Sequence, residues 1–187
     1  MSKLLGPAAV AAAALAAGTA LYRSLVTGRL SLDLGFGRRT RALGPIEVDI
    51  AAPPEAVFAT AAAPYAERRP RAFMEKVRIL ERTDQMVLAA HHTPVGKHLT
   101  AVTVETVILD PPNRLTFRLV RGPVPYVVET FTLAPTRDGT RLTYTGELGT
   151  DLGRIGELWG SLVTRSWLAA VQTTLDAIKA ESQRRTR

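Results

Sequence analysis

The sequence predicts an α+β fold: a curved antiparallel sheet wrapped round one long C-terminal helix, with an apolar helix ahead of both. Three observations carry this. Between Arg114 and Thr145, three runs alternate apolar and polar residues with a period of two, the mark of strands with one buried face. The period then changes, and Ile155, Leu158, Trp159, Leu162, Val163, Leu168, Val171, Leu175 and Ile178 recur at helical spacing. Leu4 to Tyr22 is a run of 19 residues without a charge, long enough to cross a bilayer core as a helix.

That first segment admits three readings. It is a single membrane anchor, a cleaved signal peptide with Lys3 ahead of it and Gly18-Thr19-Ala20 as a small-residue cleavage site, or a soluble helix. As an anchor it makes the protein single-pass. One lysine precedes the span, whereas Arg23 and Arg29 follow it, so the positive-inside rule puts the domain in the cytoplasm. Residues 1–22 are thus the anchor or signal, and residues 23–44 read as a basic juxtamembrane linker. Its cluster Arg38-Arg39-Thr40-Arg41 is expected beside the membrane surface, either as a solvated stretch or as a headgroup contact through Arg38, Arg39 and Arg41. Alternation of Leu30, Leu32 and Leu34 allows a short extra strand.

Residues 45–187 form the folded domain. Ile46, Val48 and Ile50 alternate with Glu47 and Asp49 as a first strand, and Pro54 opens a helix to about Ala62 with Val57 and Phe58 inward. A loop with one helical turn follows, marked by Pro64 and Pro70. Strands come next at about 75–82, 86–93 and 98–109, separated by Thr83-Asp84-Gln85, Pro94-Val95-Gly96-Lys97 and Asp110-Pro111-Pro112-Asn113. Leu115, Phe117 and Leu119 define the fifth strand, Val127, Glu129, Phe131 and Leu133 the sixth, and Leu142 and Tyr144 the seventh. Gly153, Gly156 and Gly160 weaken the start of the last helix. They serve either close helix–sheet packing or a yielding lid.

Charge excludes one function class. The net +7 sits at the ends: residues 1–44 hold six basic side chains against Asp33, and residues 179–187 hold four against Glu181. The body is close to neutral, with no basic face interleaved with aromatics, so nucleic acid is not an expected partner. No cysteine is present, which removes disulfides, thiol nucleophiles and thiolate metal sites. Neither a P-loop nor a dinucleotide-binding glycine motif appears, and no nucleophile–base set can be assembled. No cofactor is expected.

The stretches Ile46-Glu-Val-Asp-Ile-Ala-Ala-Pro-Pro-Glu-Ala-Val-Phe58, Leu109-Asp-Pro-Pro-Asn-Arg-Leu115, Arg121-Gly-Pro123, Phe131-Thr-Leu-Ala-Pro135 and Asp138-Gly-Thr-Arg-Leu-Thr-Tyr144, with the closing helix, carry a family resemblance. From Ile46 to Arg185 the chain resembles the START-like (SRPBCC) superfamily, which includes polyketide cyclase/dehydrase and coenzyme-Q-binding proteins. The resemblance implies a helix-grip fold holding a hydrophobic ligand between sheet and helix. Members bind lipids, isoprenoid quinones, polyketides or hormones, and some are enzymes, so the fold alone does not choose.

Strand parity places the candidate cavity residues. If Leu119 and Phe131 both face inward, one register sets Phe117 opposite Phe131, Leu119 opposite Glu129 and Arg121 opposite Val127. Glu129 then points inward, diagonal to Arg121. It is a general acid/base or a ligand anchor, or else a structural partner of Arg121. Only one of His91 and His92 can face the cavity, and Met86 and Leu88 share parity with His92, which selects His92. Glu105 shares parity with Ala101 and Thr103, away from the more apolar Val102, Val104 and Ile108, and is expected outward. The three histidines do not converge on a metal site, and none is expected. Phe117, Leu119, Phe131, Tyr144 and Trp159 are the expected apolar lining, with Trp159 as a plug, and Trp167 adds to it.

Three functions fit these residues. The first is membrane-tethered binding of a hydrophobic small molecule, a lipid or isoprenoid quinone, in an internal cavity. The second is a cyclase/dehydrase-type enzyme with Glu129, and His92 beside it, as acid/base. The third is a non-catalytic interaction module whose interior its own side chains fill.

Overall fold

Period-two alternation becomes seven strands, and the helical repeat becomes one helix of 33 residues. The computed structural model describes residues 6–69, 71–84 and 86–186. Lys3, Pro70 and Gln85, used above for orientation and punctuation, lie outside them.

Helix α1 spans Pro7–Val26, with Pro7 at its first position where a missing N–H costs nothing. It is the one helix among the described residues long and apolar enough, by length and composition, to cross a membrane. Only its last turn is covered, where Val26 is buried. The chain continues through β1 (Arg39–Ile50), α2 (Pro54–Ala62), a 3-10 turn (Ala63–Tyr65), α3 (Arg71–Lys76), β2 (Val77–Arg82), β3 (Met86–Val95), β4 (Leu99–Asp110), β5 (Arg114–Arg121), β6 (Tyr126–Thr136), β7 (Gly139–Thr150) and α4 (Gly153–Arg185).

The sheet order is β1-β7-β6-β5-β4-β3-β2, antiparallel throughout. Strands β2 to β7 run as a meander because each turn is short, and β1 closes the far edge on β7. Bulges interrupt the ladders at Leu43/Ile46, Ile79/Glu81 and Val104/Glu105. Each adds local twist and bends its strand, curving the sheet around α4.

Helix α4 presents Val163, Val171, Leu175 and Ile178 to the core. Gly156 and Gly160 are buried on the same side, and the reason is contact. A Cβ at Gly160 would stand 3.0 Å from Thr150 Cγ2, and one at Gly156 would collide with the Asp151 carbonyl. Close packing therefore accounts for these two glycines. The helical apolar repeat read from the sequence splits into two faces: Ile155, Leu158 and Leu162 point to solvent, 60–74% exposed.

Two expectations for residues 23–44 change. No strand forms at Leu30 to Leu34, whose backbone N–H groups are partly taken by a side chain: Leu34 and Gly35 both donate to Asp151 Oδ2, at 2.6 and 2.9 Å. The basic cluster is not a linker either, because β1 begins at Arg39 and pairs with β7 from Thr150 back to Gly146. Its arginines engage Asp151 and the first turns of α4. Arg38 Nε donates to Asp151 Oδ1 at 2.8 Å, and Arg39 Nη1 meets Glu157 Oε1 at 3.0 Å. Arg41 donates to the Glu157 carbonyl at 3.0 Å and to Ser161 Oγ at 2.8 Å.

Candidate functional site

Two buried carboxylates define the interior. Glu129 lies at the middle of β6, and both of its donors reach the same oxygen. Tyr144, from β7, donates its hydroxyl to Oε1 at 2.5 Å, and Trp167, from α4, donates Nε1–H to it at 2.6 Å. Gly146 stands directly opposite Glu129, and a Cβ there would sit 3.3 Å from Glu129 Cγ and 2.9 Å from the Val128 carbonyl. The glycine keeps this part of the concave face open for the carboxyl.

Glu105, from β4, is the second carboxylate. His91 Nδ1, from β3, lies 3.1 Å from Glu105 Oε2, and His91 Nε2 lies 3.0 Å from the Tyr65 hydroxyl. Tyr65 sits at the end of the 3-10 turn, where its carbonyl also accepts a hydrogen bond from Arg82. The two polar sets are bridged by aromatic rings. Tyr65 to Phe117, Phe117 to Phe131 and Phe131 to Tyr144 have centroid separations of 5.9, 5.5 and 5.2 Å, in tilted or edge-on arrangements.

Burial separates the two acids chemically. Loss of water and the nearby negative charge of Glu105 push Glu129 up to about 7, against the opposing hydrogen bonds from Tyr144 and Trp167. Glu105 is also buried, but its ion pair and hydrogen bond with His91, with a hydrogen bond from Thr103, hold it below the ordinary carboxylate range. Burial pulls His91 down, yet Glu105 outweighs it and the imidazole is raised. Desolvation first, and then the carboxylates, raises both Tyr65 and Tyr144. The interior thus holds a His91–Glu105 pair that favours the charged forms of both partners, beside a Glu129 carboxyl that gains or loses its proton near pH 7.

Of the residues selected from sequence, Phe117, Leu119, Glu129, Phe131 and Tyr144 are buried on this concave side. The register that placed them is corrected by two residues: Leu115 opposes Phe131 and Phe117 opposes Glu129, which preserves parity. Arg121 is exposed and pairs in the ladder with Val104, so it does not approach Glu129 as the expected register required. His92 opposes Val102, while its neighbour His91 turns inward with Val87 and Ala89, whose exposures are 2% and 0%. Met86 and Leu88 misdirect that choice, since Met86 is exposed. Trp159 packs on the core margin, donating Nε1–H to the Pro123 carbonyl at 2.7 Å with its ring edge-on to Tyr22.

Glu105 also faces inward, contrary to expectation. The apolar face of Val102 and Val104 is real but is covered from outside. Gly28, just past α1, lies against the Val102 backbone, and Val104 and Val26 are both buried. A strand covered on both sides has no parity signal to read. Tyr65, at the end of a three-residue 3-10 turn, carries no periodic signal at all.

The hollow expected between sheet and helix is instead a closely packed seam, whose facing side chains are nearly all covered. Phe117, Leu119, Glu129, Phe131 and Val163 retain 6–9% exposure, whereas Val107, Leu115, Leu142, Tyr144 and Leu175 retain 0–1%. Depressions of about 500 and 370 Å³ lie elsewhere, along α1 at Leu15 to Tyr22 and at the β6–β7 turn beside Asp49 and Arg141. Neither is lined by the residues of the seam.

Comparison with known proteins agrees with this architecture. The chain is similar in fold to the ZhuI aromatase/cyclase from Streptomyces sp. R1128, with 22% identity, a TM-score of 0.55, and coverage of 80% of this chain and 96% of that one. Norcoclaurine synthase from Thalictrum flavum gives 20% identity, a TM-score of 0.59, and coverage of 82% and 94%. The protein TTHA0849 from Thermus thermophilus gives 20% identity, a TM-score of 0.56, and coverage of 80% and 98%. No curated protein sequence matches the chain. A family model described as polyketide cyclase/dehydrase and lipid transport matches residues 46–183, most of the chain and all of the sheet from Ile46 onward. The chain therefore belongs to the polyketide cyclase/dehydrase and lipid-transport family, of the SRPBCC (START-like) type.

Proposed function

We propose that the domain binds an apolar small molecule carrying a carbonyl, such as an isoprenoid quinone, in the seam between sheet and α4, beside a membrane to which α1 tethers it. The observation that carries this is the environment of Glu129. Burying an ionisable group in an apolar core costs several kcal/mol unless it is compensated, and Glu129 is compensated at one oxygen only. Both protein donors go to Oε1, which leaves Oε2 for a guest. Raised to about 7, the neutral carboxyl can donate a hydrogen bond to a carbonyl oxygen. Phe117, Phe131 and Leu119 supply flat apolar walls around that point. The seam is narrow, so a guest has to displace side chains as it enters.

The test is quinone affinity of the full chain in lipid nanodiscs, measured from pH 5 to 9. Binding is expected to weaken above pH 7, by up to about tenfold per unit, as Glu129 loses the donated proton. Glu129→Gln, which keeps a donor at all pH, is expected to flatten the profile. Absence of any bound or bindable apolar molecule would leave the non-catalytic interaction module as the better reading.

One observation favours a second reading. The His91–Glu105 pair and the near-neutral Glu129 together resemble an acid/base set for cyclisation or dehydration. In that case Glu129→Gln removes turnover of a polyketide-like substrate while leaving its binding intact.

A further inference from the structure

One end of the domain is apolar, exposed and contiguous. Leu34, Phe36, Leu152, Ile155, Leu158 and Leu162 are each between 42% and 75% exposed. Leu152 N–H donates to the Phe36 carbonyl at 2.9 Å and Gly153 N–H to the Gly37 carbonyl at 3.0 Å, which fixes the Leu34–Gly37 loop against the start of α4. Asp151 locks the same junction by accepting from Leu34, Gly35 and Arg38. This patch is held in place by hydrogen bonds donated to a buried carboxylate, unlike the scattered single apolar residues of an ordinary surface.

The helix geometry adds charge to it. At about 100° per residue, Arg154, Leu158, Arg165, Leu162 and Ile155 fall within about 100° of one another on α4, opposite the core-facing Gly156, Gly160, Val171 and Ile178. Arg154, Arg165, Arg23 and Arg29 are exposed, and none has an ion-pair partner among the described residues. The neighbouring acids are already engaged, Asp33 with Arg38 and Glu157 with Arg39. An apolar stripe flanked by unpaired arginines matches the boundary between acyl chains and anionic headgroups.

Continuity with α1 identifies the occupant. Tyr22, at the C-terminal end of the apolar helix, sits edge-on to Trp159 with centroids 6.0 Å apart, and Trp159 lies one turn from Ile155 and from Leu162 on α4. Aromatic residues at that position mark the interface level of a spanning helix. We infer that Leu34, Phe36 and the Ile155–Leu158–Leu162 face of α4 insert into the surface of an anionic bilayer, holding the domain down against the membrane. This rests on the reading that α1 is membrane-embedded, which the experiment checks separately.

The chain has no cysteine, so single-cysteine variants report one site each. Spin labels are placed by Leu15→Cys in α1, Phe36→Cys, Leu158→Cys, and Arg137→Cys at the distal β6–β7 turn, in the full chain in nanodiscs containing phosphatidylglycerol. Collision with oxygen against a water-soluble nickel chelate reads depth. Labels at positions 36 and 158 are expected at the headgroup–acyl boundary, the label at 15 deep, and that at 137 in water. A deep label at 15 with aqueous labels at 36 and 158 overturns the inference and leaves the tether standing. An aqueous label at 15 removes the tether and the inference with it. Dipolar broadening between Leu158→Cys labels of two copies overturns it in favour of a self-association face.

Discussion

Glu129 is a carboxyl whose folded environment prefers the proton, and that preference has a thermodynamic consequence. Its folded value near 7 lies above the unfolded value near 4.5, so the folded state holds more protons in between, and stability falls as pH rises from about 4.5 to about 7. His91, also raised, adds to the same trend: its pairing with Glu105 stabilises fully below the unfolded histidine value and is lost as pH climbs through the folded one. Chemical denaturation of Glu129→Gln between pH 5 and 8 is expected to show a shallower decline than the parent, with only the His91 part remaining. An unchanged slope would place the titration elsewhere. The two adjacent histidines supply a sharper contrast. His91→Ala strips the partner from a buried carboxylate and is expected to cost about 3 kcal/mol or more. His92→Ala, opposite Val102 and outside the polar set, is expected to stay within about 0.5 kcal/mol. Equal effects in denaturant melts would contradict the inward assignment of His91. That assignment is hidden in the sequence, because Met86 and Leu88 advertise an apolar parity on β3 that Val87 and Ala89 in fact carry. Glu129 is legible, since Phe131 and Leu133 on the same strand are apolar at the same parity while the alternate residues Val128, Thr130 and Thr132 stay half-buried or exposed.

Among the elements, α4 and β7 meet most tightly where Gly156 and Gly160 cross Thr150 and Asp151. On an exposed helix, Gly to Ala raises stability by up to about 1 kcal/mol. Here the sign is expected to reverse. Gly160→Ala pushes a methyl onto Thr150 Cγ2 and should lower stability by about 1 kcal/mol, and Gly156→Ala, facing the rigid Asp151 carbonyl, should cost more. A rise in melting temperature for either would mean that α4 can lift from β7 freely. Strands and helices are largely readable as elements because alternation and the 3.6 repeat survive wherever a single face is buried. They fail in two informative places. The N-terminal half of β1 reads as a basic linker, since Arg39 and Arg41 reach across to α4 instead of burying an apolar face. The outer face of β4 reads as its core face, since the end of α1 covers it.

For the molecule as a whole, an apolar helix, an apolar end of the domain and an acid-lined seam lie in sequence along one structure. In the proposed arrangement, α1 and the exposed α4 stripe would bring the domain to a lipid surface, and the seam would receive an apolar molecule. That order suits a domain that takes its ligand from the bilayer rather than from water. The helix-grip architecture is evident from pattern and resemblance together, whereas the tightness of the seam is not. Periodicity reports which residues face inward and is silent on how closely two inward faces approach. The decisive measurement uses the two tryptophans as reporters. With Trp159→Phe leaving Trp167 alone on Glu129, titrating a quinone into the full chain in nanodiscs should quench Trp167 fluorescence saturably at one molecule per chain. Quenching that only tracks the quinone content of the bilayer, with no saturation, would contradict binding at Glu129.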